Sequence, residues 1–196
     1  GHGLVPAARA FSAADGFAVA RLGEGLALRA AGLTNRILLL EGVFSAEQLA
    51  VAAQAQFELM VHSFEQLKLL EALGGETRLI AWIKVDSGMN RLGFRLEEFG
   101  AAYDRLRRNS HVQAEPMLVT HLASADDRSD PKTRQQLEAF ATATSGVAGA
   151  RSIANSAGVL AWPAARADWV RPGLMLYGVA PFACDTGTAL GLRPAM

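Results

Sequence analysis

Short apolar runs of strand length, separated by stretches that carry helix signals, dominate this chain. Residues 36–41 read R-I-L-L-L-E, 58–61 read E-L-M-V, 79–85 read L-I-A-W-I-K-V and 117–122 read M-L-V-T-H-L. A strand that is apolar on both sides needs cover on both faces, which is the mark of a parallel sheet wrapped by crossover helices. Residues 17–20, 152–154 and 169–170 are shorter strand candidates. Between them, the Leu- and Ala-rich stretch 23–31 stops at Gly32. Ser45 stands where an N-cap belongs for a helix over 46–54, with Gln48 three residues on. Residues 64–73 run to Gly74-Gly75, and 96–108 carry Phe99, Tyr103 and Leu106 on one face. Asp130-Pro131 opens a helix over 131–144. Residues 157–161 form a short helix, and 173–177 open another. Seven strands in alternation with helices predict an α/β fold, a (β/α)8 TIM-type barrel lacking one strand. An open doubly wound sheet is the alternative. It is weakened by the absence of any Gly-x-Gly-x-x-Gly or P-loop pattern after a strand.

The 196 residues suit one large domain or part of a larger protein, and 51% hydrophobic content supplies a sizeable core. With 19 basic and 19 acidic residues the formal net charge is zero, so nothing points to nucleic acid or an anionic membrane surface. No apolar run approaches the roughly 18–20 residues of a membrane-spanning helix. The single cysteine, Cys184, cannot pair within the chain, which fits a reducing, cytoplasmic setting. The chain opens on Gly1-His2-Gly3 and stops at L-R-P-A-M without a closing element. It reads as an internal piece of a longer protein.

The polar residues gather at the carboxyl ends of the strands. The run 79–83 delivers Lys84, Asp86 and Arg91 in quick succession. Charges at the mouth of a buried strand are costly unless they pair with each other or with a ligand. His62-Ser63, Thr120-His121, Asn155-Ser156 and Arg171 fall at other strand ends. Each has a simple structural explanation alone: His62 as a hydrogen-bonded structural residue, Lys84 as a paired surface charge, Arg91 as a partner of Asp86, Asn155-Ser156 as a helix cap. Together they would face one mouth, where barrels place active sites. Asn155-Ser156-Ala157-Gly158 and Arg171-Pro172-Gly173-Leu174 join late strands to helices. Free N–H groups at such junctions bind phosphate, and small residues permit close approach. A phosphorylated cofactor or substrate is therefore expected, with Ser156 adding a hydroxyl. No metal site is expected.

K-V-D-S-G-M-N-R-L-G (84–93), T-H-L-A-S-A-D (120–126), A-N-S-A (154–157) and V-R-P-G-L-M-L-Y-G (170–178) occur in this order, with I-L-L-L-E-G at 37–42. In these motifs the chain resembles, over nearly its whole length, the alanine racemase family, whose barrel is that of the type III pyridoxal-phosphate enzymes. The resemblance implies the roles. Asn155, Ser156, Gly173 and Leu174 would hold the cofactor phosphate. Arg171 would meet the pyridine nitrogen, and His121 would brace Arg171 and back the ring. Arg91 would bond the cofactor's phenolic oxygen and help position the substrate carboxylate. Leu38 and Leu40 would line the cofactor wall. Lys84 matches a position that family members often carry as a carboxylated lysine, an anion able to lock Arg91 in place. Gly1-His2-Gly3 matches the tail of the family's first-strand motif. The Schiff-base lysine and one phosphate-binding tyrosine would then precede Gly1, and the catalytic tyrosine would belong to a C-terminal β domain of the other subunit of a homodimer. Residues 1–182 would be the barrel domain and 183–196 the start of a linker.

The implied activity of the parent protein is interconversion of L- and D-alanine, feeding D-alanine to peptidoglycan or L-alanine to catabolism. The 196-residue chain alone is expected to be inactive. Three rivals stay open: a broad-specificity or serine racemase or an amino-acid decarboxylase on the same fold; a non-catalytic pyridoxal-phosphate homeostasis protein; and a truncated product without function. The decarboxylase is disfavoured because Arg171 is basic where that family favours an acidic partner for the pyridine nitrogen.

Overall fold

A computed structural model describes residues 2–194. Six strands alternate with helices along the chain. The strands are β1 (Gly16–Val19), β2 (Arg36–Leu39), β3 (Glu58–Val61), β4 (Ala81–Lys84), β5 (Met117–Val119) and β6 (Arg151–Ser152). The helices are α1 (Leu4–Ala10), α2 (Leu22–Ala30), α3 (Ala46–Gln54), α4 (Phe64–Glu71), α5 (Leu96–Arg108), α6 (Lys132–Ala143) and α7 (Ser156–Ala161). Two 3₁₀ turns follow, Pro163–Ala165 and Leu174–Tyr177.

The expected seventh strand at 169–170 is a single bridge between Ser152 and Trp169. Pro172 lacks an N–H and Val170 is exposed, so the ladder stops almost where it starts. Helix α1 went unread, because Pro6 lies inside L-V-P-A-A-R-A and Gly3, at φ 80°, offers no capping side chain. Helix α6 begins one residue later than expected: Pro131 takes the N-cap position, and Asp130 still accepts the Lys132 N–H at 2.8 Å.

The chain divides into two compact units, residues 1–84 with 100–116, and residues 85–99 with 117–196. In the first, β1 to β4 pair in parallel, with Phe17 opposite Ile37, Leu38 opposite Glu58 and Met60 opposite Trp82. Every residue of β3 and β4 is buried. Leu28, Ile37, Leu49, Phe57 and Leu67 are almost fully enclosed, each contributing about 1.5–3 kcal/mol of burial. Gly25 lets α2 sit against Phe57, since a Cβ there would come within 2.9 Å of the ring.

A charged network closes the amino-terminal ends of these strands. Glu58, at the start of β3 and 5% exposed, takes a two-pronged ion pair from Arg36 at the start of β2. The Trp82 indole N–H donates to the same carboxylate at 2.6 Å. At this end of a parallel α/β array such groups serve stability rather than chemistry.

At the opposite strand ends of this unit, Gln66 of α4 does the tying. Its amide N–H donates to the carbonyls of Glu41 and Val43, and its Oε1 accepts the His62 N–H. His62 Nε2 lies 3.1 Å from the Glu41 carbonyl, so this histidine is the hydrogen-bonded structural residue expected. In the second unit β5 and β6 pair in parallel, with Leu118 opposite Arg151.

Candidate active site

The second unit gathers most of the expected site residues. Its central feature is Arg171. Its Nη1 donates to the Ser152 hydroxyl, and its Nη2 donates to the Thr120 carbonyl at 2.6 Å and the Ile153 carbonyl at 3.4 Å. Nη2 also lies 3.5 Å from His121 Nδ1. Among the described residues no carboxylate pairs with Arg171, and its Nε–H makes no hydrogen bond. Burial pushes this guanidinium down to about 10, which still leaves it charged at neutral pH. A cation held by neutral dipoles, with its Nε–H and one Nη1–H unspent, is arranged to meet an acceptor.

Asn155 and Ser156 sit at the start of α7 for different reasons. Asn155 is the N-cap, and its side chain accepts the Gly158 N–H at 2.9 Å. The Ser156 hydroxyl instead reaches across to the next junction. It accepts the Gly173 N–H at 2.9 Å and the Met175 N–H at 3.3 Å. Gly173 precedes the 3₁₀ turn Leu174–Tyr177, and a Cβ added to it would meet open space. A hydroxyl and two backbone N–H groups thus converge on one spot, next to a residue with no side chain.

His121 follows buried Thr120, whose hydroxyl bonds that of Ser87 at 2.7 Å. The carbonyl of His121 is gripped by Gln136 of α6: its amide donates to that carbonyl at 3.0 Å and accepts the Ala123 N–H at 2.8 Å. Neither Ser152 nor Gln136 stood out in the sequence. The available signal was polarity in apolar company, Ser152 before Ile153 and Ala154, and Gln136 one turn ahead of Phe140.

Asp86 and Arg91 do not pair. The Asp86 carboxylate accepts the N–H groups of Gly88 and Asn90, each at 3.0 Å. This corrects the simple reading in which Arg91 is only a partner for Asp86: two backbone donors satisfy the carboxylate first. Arg91 is exposed and joins no ion pair among the described residues. It lines an open depression of about 510 Å³, with Ser87, Asn90, Arg95 and Glu97.

The remaining expected residues lie in the first unit. Lys84 ends β4 and is 7% exposed, so it is a buried lysine and not the surface charge of the simple reading. Leu38 is buried within β2, and Leu40 is half-buried just past it. No cluster of three His, Cys, Asp or Glu suited to a metal occurs among the described residues. No helix among them is long and apolar enough to cross a membrane.

The alanine racemase N-terminal domain model matches residues 1–181. An alanine racemase of Halorhodospira halophila is 50% identical over 197 aligned residues, covering 100% of this chain and 54% of that protein. One from Shewanella piezotolerans is 46% identical, with 100% and 55% covered. The crystal structure of the biosynthetic alanine racemase of Pseudomonas aeruginosa superposes with a TM-score of 0.94 at 45% identity, covering 100% of this chain and 55% of that one. The fold class is therefore α/β, that of part of an alanine racemase barrel domain. The chain spans about half the length of the curated relatives it matches.

Proposed function

The chain belongs to the family of alanine racemase N-terminal domains, and from that premise we propose that the whole protein interconverts L- and D-alanine with pyridoxal phosphate as cofactor. The residues fit that group by their donor chemistry. A phosphate dianion takes hydroxyl and backbone N–H donors; the Ser156 oxygen accepts from Gly173 and Met175, which leaves its O–H to donate beside them. Ser156 and Gly173 would hold the phosphate, with Asn155 and Leu174 beside them. The unspent Nε–H of Arg171 would meet the pyridine nitrogen.

When bound, pyridoxal phosphate draws electron density from the amino acid's α-carbon, so that its proton can be exchanged. The chain's own residues decide how far that withdrawal goes. Arg171 is the observation that carries the reading. A guanidinium essentially never surrenders its proton, so toward a bound ring it would donate a hydrogen bond and leave the nitrogen unprotonated. Withdrawal is then limited, which favours simple proton exchange over transamination or decarboxylation. His121 braces Arg171. Its Nδ1 lies 3.5 Å from Arg171 Nη2, on the side of the guanidinium. Arg91, exposed in its loop, would receive the substrate carboxylate, where a fork of N–H donors matches two oxygens.

Residues 1–182 would form the cofactor-binding domain, a division supported by the extent of the family match, and 183–196 would be the start of a linker, held to the second unit at Asp185 by Arg128. The enzyme would act in the cytoplasm as a homodimer. The test is full-length protein with added pyridoxal phosphate and L-alanine, followed by chiral chromatography. D-Alanine formation, lost on Arg91→Gln, is expected. A protein that binds the cofactor yet exchanges no α-proton would overturn the proposal.

A further inference from the structure

We infer that Asp86 is a positioning residue that aims Arg91, acting through the backbone of the loop between them. The inference rests on the assignment of Arg91 to the substrate carboxylate. Residues 86–94 form a loop closed at its base by the Asp86 N–H, which donates to the Phe94 carbonyl at 2.8 Å, and by the bridge between Val85 and Phe94. Within it, one carboxylate oxygen, Asp86 Oδ1, accepts the N–H groups of both Gly88 and Asn90. The chain turns through three positive-φ residues, Gly88 at 130°, Asn90 at 58° and Gly93 at 125°. Asparagine takes positive φ more readily than most non-glycine residues. At Asn90 the bond from its N–H to Asp86 holds the turn in that conformation. Arg91 is the next residue, so the direction in which its side chain leaves the backbone is set by that bond. The Ser87 hydroxyl anchors the loop to Thr120, next to His121. A long cation at a loop tip would otherwise spend its binding energy on becoming ordered.

The test uses full-length holoenzyme and the variants Asp86→Ala, Asp86→Asn, Arg91→Lys and the double variant Asp86→Ala/Arg91→Lys. Asparagine keeps the accepting oxygen, so Asp86→Asn is expected to hold KM for alanine within about two-fold of the parent. Asp86→Ala is expected to raise KM about ten-fold or more with a smaller change in kcat. In the Arg91→Lys background the same Asp86→Ala change should matter less than about two-fold, since the aimed group is already altered. Trypsin cleavage after residue 91, followed by mass spectrometry, reads loop order without activity and should quicken in the two Asp86→Ala variants but not in Asp86→Asn. An unchanged KM and cleavage rate in Asp86→Ala would overturn the inference, as would effects that simply add in the double variant. A parent protein that does not racemise alanine would sink the proposed function instead, and the cleavage rates would still report whether Asp86 orders the loop.

Discussion

The Ser156 hydroxyl accepts the Gly173 N–H at 2.9 Å, across a sequence separation of 17 residues. The bond ties the start of α7 to the 3₁₀ turn that follows Arg171. It keeps two backbone donors gathered at the spot assigned to the cofactor phosphate.

Replacing Ser156 with alanine removes both the tie and a phosphate ligand. Affinity of the full-length apoprotein for pyridoxal phosphate, followed by absorbance titration, should fall about 10- to 100-fold, the usual size of a lost hydrogen bond to a charged group. An unchanged affinity would place the phosphate elsewhere.

The Glu58 carboxylate should matter to stability alone. Removing it by Glu58→Leu takes away the buried acceptor of the Trp82 N–H and the carboxylate that Arg36 pairs with. The expected cost is about 3 kcal/mol by urea unfolding. Cofactor affinity should stay at the parent value, because Glu58 sits at the amino end of its strand.

Alkaline stability should depend on Tyr103. This buried phenol donates to Glu115 at 2.9 Å, and burial, followed by the Glu115 carboxylate, pushes it from 10.0 up to about 12. Between those values the unfolded chain releases the proton while the folded chain keeps it. The folded state therefore loses stability as pH rises through the window. Tyr103→Phe should cost about 1 kcal/mol at neutral pH and flatten the decline above pH 10. A decline equally steep in both proteins would remove Tyr103 as its cause.

Two glycines should respond to alanine in opposite directions. Gly42 has φ 67°, and a Cβ there would strike the Met60 carbonyl and the Gln66 amide. Gly42→Ala should cost about 2 kcal/mol or more. Gly100 lies inside α5 with open space where its Cβ would stand, so Gly100→Ala should gain about 0.5–1 kcal/mol. Thermal unfolding of both variants reads the contrast.

Local chemistry explains which features were legible in the sequence. Ser45 and Asn155 each accept an N–H three residues on, and a capping residue followed by an apolar face marks a helix start without help from the fold. Helix α5 matched its expected ends because acidic residues open it and arginines close it. Strand β3 kept its expected bounds and β1 moved by one residue, while β2, β4, β5 and β6 are shorter than expected, because pairing needs a partner in register and apolar runs extend past the paired part. The roles of Ser152, Gln66 and Gln136 were illegible for a different reason. Each is defined by a backbone group distant in sequence, and nothing in the neighbouring residues names that group. Arg171 could be picked out by its motif, but not its setting of neutral acceptors.

That setting has a consequence for how the protein should respond to ionic strength. Zero net charge suggests a chain indifferent to anions, and its exposed charges act over only about 8 Å in physiological salt. Arg171 is sheltered from that screening and has no carboxylate to cancel it among the described residues. A hydrogen bond from this half-buried cation to a ring-nitrogen acceptor should therefore persist in concentrated salt, while any contribution from exposed arginines such as Arg91 fades.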